Sequence, residues 1–195
     1  MSFFTGVTKL SNTSAIPAIE GGGKITKEAA LALLHNHDFF LKTEPHYVSH
    51  RVLTADKDVG DDIAAVRETY DLPPELEPLG TPKVKLYEVV DHVPNPVWSS
   101  SVVSKEEFVD LKDGLWVRIR SPLAVVMETR WTVRERVVAD GEGEGTGELE
   151  LLEDVEISCS KLLLAIVKAQ VDNNWKGIHD NFIKKLVEDA KKGVE

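Results

Sequence analysis

The chain holds a single cysteine, Cys159, among its 195 residues. One thiol cannot form an internal disulfide, and it excludes a zinc site built on cysteine pairs. With no evident base beside it, Cys159 reads as a small core hydrophobe, the usual state of a free cysteine. Long apolar runs are missing too. Nothing approaches the ~20 consecutive residues of a membrane-spanning helix, so no membrane insertion is expected. Residues 1–12 lack the apolar stretch of a secretory signal, which makes the cytoplasm the default compartment. Basic charge is scarce: 23 Lys and Arg stand against 33 Asp and Glu, for a formal net charge of -10. No basic stripe stands out to neutralise phosphates, which argues against nucleic acid as a partner and against docking on anionic headgroups. The glycine-rich stretches Gly21–Gly23 and Gly141–Gly147 fit neither a P-loop nor a dinucleotide turn. No Gly-x-Ser-x-Gly elbow marks a serine hydrolase.

What is present is the patterning of one α+β domain over residues 1–195, large enough to bury a core without covalent staples. Phe3–Pro17 is rich in Thr, Ser and β-branched residues and reads as a strand, broken at Gly21–Gly23. Thr26 is an N-cap candidate for a short helix whose apolar face is Ala29, Ala30, Leu33 and Leu34. A second short helix begins at Asp38 and ends before Pro45, and Tyr47–Leu53 reads as a strand. The acidic, proline-bearing stretch Thr54–Lys83 is an excursion or lid, with one helix near Asp61–Tyr70. Strands then follow in quick succession: Val84–Val93, Val97–Leu111, Leu115–Arg120, Val125–Val138 and Glu148–Ile157. Lys112-Asp113-Gly114 is a hairpin turn, and residues 140–147 form a flexible hairpin tip. Consecutive strands without intervening helices imply an antiparallel meander. From Ser158 to Lys192 proline is absent, and Leu164, Val167, Val171, Trp175, Ile178, Phe182 and Leu186 recur at steps of three and four. That is one apolar stripe on one helix of about 50 Å. Gly177 interrupts it and is expected to mark a bend.

A first strand, two short helices, a strand meander and a long C-terminal helix follow the order of the START-like, or helix-grip, superfamily. More narrowly, Tyr87–Val93, Val97-Trp98 and the run Lys112–Pro122 (KDGLWVRIRSP) resemble a small group of fungal proteins with this fold. The resemblance implies a curved antiparallel sheet wrapped around the C-terminal helix, with a cavity for a hydrophobic small molecule. The superfamily includes lipid and sterol carriers, hormone receptors, and polyketide cyclases and aromatases. Fold alone does not choose among them.

Strand parity nominates the polar residues of such a cavity. In the strand at Val84, Tyr87, Val89 and Asp91 share one face, and Leu86, Glu88, Val90 and His92 share the other. Both faces hold a carboxylate; the first suits an apolar lining with few placed polar groups. The row Val48, His50, Val52 puts His50 inside, and Leu149, Leu151, Glu153, Val155, Ile157 puts Glu153 inside. Asp91 is then the expected base or acid, His50 its partner, and Tyr87 a donor to a carbonyl or enolate. Glu153, Met127, Thr129, Trp131 and Trp175 are expected ligand-lining residues, the tryptophans also serving as core. Arg118 and Arg120 form either a clamp for a ligand's terminal acid or a solvated outer face paired with glutamates. His35 and His37 sit two apart, which on one helix points them away from each other, so no metal is expected. The resulting expectation is a cofactor-free, polyketide cyclase-like enzyme of secondary metabolism. Its rival is a carrier or sensor of a lipid, sterol or other hydrophobic molecule, and a third reading is an interaction scaffold with a small dry cavity. The sequence leaves the oligomeric state open.

Overall fold

The computed structural model describes residues 5–19, 24–53, 74–80, 84–93, 100–136 and 148–192. The expected helix at Asp61–Tyr70, the break at Gly21–Gly23, Val97-Trp98 and the tip at 140–147 lie outside the described residues. The elements run β1 Thr5–Ile16, α1 Lys27–Leu34, α2 His37–Leu41, β2 Tyr47–Leu53, β3 Lys85–Val93, β4 Ser100–Asp110, β5 Gly114–Ser121, β6 Val125–Glu135, β7 Leu149–Ser160 and α3 Lys161–Lys192. The seven strands form one curved antiparallel sheet in the order β1-β7-β6-β5-β4-β3-β2. Strands adjacent in sequence are mostly adjacent in space, as a meander requires, and β1 returns to pair with β7. With α3 laid across β1 and β7, this is the helix-grip arrangement.

Local chemistry accounts for the small elements. The Thr26 hydroxyl accepts from the Ala29 amide at 3.2 Å, capping α1 as the sequence predicts. Asn36 caps α2 through the Phe39 amide, also at 3.2 Å, so a new helix starts between His35 and His37 rather than one continuing through them. Gly114 opens β5 because a Cβ there would stand 1.7 Å from the Trp131 carbonyl oxygen.

Apolar rows pack on both sides of the sheet. On the concave side Phe108, Leu115, Val117, Trp131, Val133 and Leu151 meet Leu33, Leu34, Phe40, Phe182 and Leu186 from the three helices. Nearer the start of α3, Val155, Ile157 and the buried Cys159 pack against Leu164, Val167 and Val171. On the convex side Leu76, Val109, Leu111 and Trp116 form a smaller cluster, so the described part of the excursion, residues 74–80, covers the back of the sheet.

Helix α3 continues through Gly177. A Cβ at that position would lie 3.0 Å from Pro45 Cγ, so the glycine admits the loop after α2. The row Val48, His50, Val52 is not an apolar interior row. A bulge between Tyr47 and Ser49 shifts the β2 register, and Val48 and Val52 are 55% and 67% exposed. The extra residue swings Tyr47 onto the face of His50.

Candidate functional site

The concave face of β3 and β4 is built from two opposed rows. Antiparallel partners share a face, and the register pairs Tyr87 with Glu106, Val89 with Ser104 and Lys85 with Phe108. Tyr87, Val89, Ser104, Glu106 and Phe108 are all buried, with Asp91 half-buried at the end of its row. On the other side of the sheet's concavity Glu153 stands buried on β7, opposite Trp131 on β6. A fourth carboxyl, Glu44, comes from the loop between α2 and β2. Three contacts fasten that loop to one face of α3: Asn174 donates to Glu44 Oε1 at 3.1 Å, Asn181 donates to the Thr43 carbonyl at 2.9 Å, and Pro45 lies against Gly177.

The charges of Asp91 and Glu153 reach Glu44, and those of Asp91 and Glu44 reach Glu106. Burial pushes Glu106 up to about 8, against a hydrogen bond from the Ser104 hydroxyl, and the charges of Asp91 and Glu44 add to the rise. Burial likewise raises Glu44 to about 7, reinforced by Asp91 and Glu153 and opposed by the His46 amide and Asn174. Asp91 is raised to about 6 by burial, with the nearby His46 opposing. At neutral pH this face therefore carries carboxyls in both protonation states, the condition for acid and base work in one site. Two polar atoms here lack a hydrogen-bond partner among the described residues, Asp91 Oδ1 and His179 Nε2. His179 is fully buried on α3; its Nδ1 meets Ser14 Oγ at 2.8 Å, and its Nε2 lies 3.7 Å from Glu153 Oε2. Asn12 donates to that same carboxylate oxygen at 3.0 Å.

The residues nominated from sequence fall into four groups. Asp91, Tyr87, Glu153, Thr129 and Trp131 share the concave face; Trp131 donates to the Thr129 hydroxyl at 3.2 Å and packs edge-on against Phe40. Met127 lies further along, packed with Val155 and Ile157, and Trp175 sits half-buried on α3 against the His179 ring. His50 faces inward, 5.7 Å from the Tyr87 ring, and meets the Tyr47 hydroxyl at 2.9 Å and the Asp38 carboxylate at 3.6 Å. Arg118 and Arg120 occupy the opposite, convex face. There Arg118 binds Glu128 at 2.9 Å and stacks over Trp116, and Arg120 binds Glu107 at 3.1 Å.

Sequence reasoning missed Glu44, Glu106 and His179. Glu106 had no readable signal, because both rows of β4 mix polar and apolar residues. Glu44 lies in a loop, where periodicity says nothing. His179 was legible: it falls four residues after Trp175 and three before Phe182, inside the apolar stripe. His35 and His37 meet separate partners, the Gly114 carbonyl at 2.8 Å and the pair Tyr87 and Asp110. Among the described residues, no group of three or more His, Cys, Asp or Glu could hold a metal ion. No helix among them is long and apolar enough to cross a membrane. Two open depressions, of about 650 and 470 Å³, lie at the start of α1 and on the convex face beside Trp116.

Residues 6–188 match the sequence family DUF7053, described as a domain of unknown function. The chain belongs to the DUF7053 family. None of the curated proteins matches this DUF7053 chain in sequence. Among solved structures it is similar to the crystal structure of TTHA0849 from Thermus thermophilus. The two share 12% identity and a TM-score of 0.48, over 94% of this chain and 98% of that one.

Proposed function

We propose that this DUF7053 protein is a cytosolic, START-like enzyme, akin to the fungal group noted above, that performs acid–base chemistry on a lipophilic, polyketide-like molecule without a cofactor. The reaction is ring closure or dehydration in a cavity against the concave face. The observation that carries the proposal is the proton affinity of one set of neighbouring carboxyls: Asp91 raised to about 6, Glu44 to about 7 and Glu106 to about 8. A carrier needs apolar lining alone and gains nothing from burying carboxyls, each of which costs solvation.

In the proposed step Asp91, ionised at neutral pH, removes a proton from an activated carbon of the chain. The electron pair forms the new carbon–carbon bond at a carbonyl carbon. That carbonyl's oxygen takes a proton from Glu106, neutral at the same pH, or from the Tyr87 hydroxyl beside it. One proton leaves the substrate and one returns, so ring closure is an isomerisation. In the dehydration a second proton leaves the adjacent carbon, its electron pair forms the new double bond, and the hydroxyl departs with a donated proton as water. His50 supports the edge of the site beside Tyr87.

The test is mass spectrometry after incubation with an unsaturated diketo-acid or its thioester mimic, beside Asp91→Asn and Glu106→Gln. Cyclised product from the wild type, lost with Asp91→Asn, is the expected result. Full turnover by both variants would overturn the proposal. Ligand bound but unchanged by all three proteins would favour the carrier.

A further inference from the structure

We infer that Asp110, His37 and Tyr87 form a proton relay that joins solvent at the end of β4 to the concave face. The inference deepens the acid–base reading above and rests on it for its purpose, though not for its geometry. His37, the first residue of α2, is buried with both ring nitrogens engaged: Nε2 meets Asp110 Oδ1 at 2.7 Å and Nδ1 meets the Tyr87 hydroxyl at 2.9 Å. The imidazole lies over the Phe108 ring at 4.7 Å between centroids, which fixes its plane. One end of this chain is wet, since the Asp110 side chain is 24% exposed and its other oxygen faces Lys85 Nζ at 3.6 Å. The other end is dry, since Tyr87 is buried opposite Glu106.

The direction of each hydrogen bond follows from Asp110. Burial alone would raise its proton affinity; the hydrogen bond from His37 and the charges of His37, Lys85 and His35 more than offset that, and the carboxyl is held below its ordinary range. An ionised carboxylate only accepts, so His37 Nε2 carries the hydrogen. In the neutral imidazole Nδ1 then accepts from Tyr87. Tyr87 stays a phenol, its ionisation disfavoured by burial and by the charges of Asp110 and Asp38.

Two protonation states of His37 give two uses. With neutral His37, Tyr87 can take a proton from the concave side while passing its own to Nδ1. With the imidazolium, Nδ1–H donates to Tyr87, whose hydroxyl turns inward and gives its proton to a substrate oxygen as Nδ1–H replaces it. One proton enters and one leaves in either direction, and His37 exchanges with water through Asp110. The charged or titratable groups facing this chain are Asp38 on α2, His35 after α1, His50 on β2, Lys85 on β3 and Glu106 on β4.

The test needs no substrate, so the relay and the proposed reaction can fail separately. In the full chain, labelled with ¹⁵N-histidine and ¹³C-tyrosine, NMR reads the His37 tautomer and the exchange of the Tyr87 hydroxyl with water. Tyr87→Phe assigns the signal. The relay predicts an Nε2–H tautomer and hydroxyl exchange slowed about tenfold or more in His37→Gln, because the path to water is cut. Asp110→Asn, which keeps side-chain shape, slows it in the same direction and carries the test if His37→Gln does not fold. A static hydrogen bond makes the opposite prediction, since its removal uncovers the hydroxyl. Exchange that is unchanged or faster in the folded variants, or an Nδ1–H tautomer in the wild type, overturns the inference.

Discussion

Glu106 lies directly across the β3–β4 pair from Tyr87, so a carboxyl and a phenol rise side by side from the concave face. Their supports differ. Glu106 accepts from the Ser104 hydroxyl on its own strand, whereas Tyr87 is tied to His37 on α2. Partners in an antiparallel pair have Cβ atoms about 5 Å apart, close enough for both to reach one oxygen of a ligand.

The first prediction concerns the carboxyls as a unit. Asp91 contributes to the raised proton affinity of both Glu44 and Glu106. Asp91→Asn removes that charge and is expected to bring both pKa values down, from about 7 and about 8 respectively. Carbon-detected NMR titration of the glutamate carboxyls measures it. Values that stay put would mean that these acids titrate independently.

A second prediction is a pH dependence of stability. Glu106 moves from an ordinary 4.5 to about 8 on folding, mainly through burial. The folded state thus holds a proton that the unfolded state releases. The stabilisation is complete below about pH 4.5 and is lost progressively as pH rises toward 8, by at most ~1.4 kcal/mol per pH unit. Glu106→Gln removes the titration while keeping an acceptor for Ser104. Its melting temperature should therefore gain on the wild type between pH 5 and pH 8, which thermal unfolding in a buffer series detects. Parallel curves would show that Glu106 is ionised in the fold.

The third prediction separates the convex face from the site. Arg118 is buried between Glu107, at 3.7 Å, and Glu128, with Trp116 beneath its guanidinium. Arg118→Ala removes the guanidinium between two glutamates and leaves Glu107 with Arg120 at 3.1 Å, so the expected loss is about 1–3 kcal/mol. Urea unfolding should show it, while the Asp91 titration in the folded variant stays where it was. A variant of full stability whose ligand affinity collapses would instead restore the arginine clamp.

Much of the fold was legible because alternation and helical spacing are strong where one side of an element is dry. The row Leu151, Glu153, Val155, Ile157 is buried as its pattern says, and Tyr87 and Val89 occupy the inner side of β3. The long helix and its stripe were readable for the same reason. Alternation failed where both sides are covered: residues 114–118 are buried without a break, because Leu76 packs against Trp116 behind the sheet. It failed again at Val48, where one extra residue reverses the facing of the strand. The candidate site was half legible. Asp91, Tyr87 and Glu153 stand on strands with a clear dry side, whereas Glu44 depends on a loop held by Asn174 and Asn181, contacts that join segments far apart in the chain.

The sheet order has a mechanical consequence. β1 and β2, joined only by the segment carrying α1 and α2, sit at opposite edges of a seven-stranded sheet. Those edges are six strand spacings apart, about 29 Å measured along the sheet. The connecting segment thus spans the curve as a string spans a bow, pinned at Tyr87 and Asp110 through His37 and at α3 through Thr43 and Glu44. About 30 residues could reach far beyond that span if extended, so these contacts, and not the segment's length, resist flattening of the sheet. Glu44 rides on the string and Glu106 on the bow, so any change in curvature alters the spacing between two groups that sense each other's charge. A flatter sheet would take from Glu106 the smallest of the influences that raise its proton affinity and leave the largest, its burial, in place.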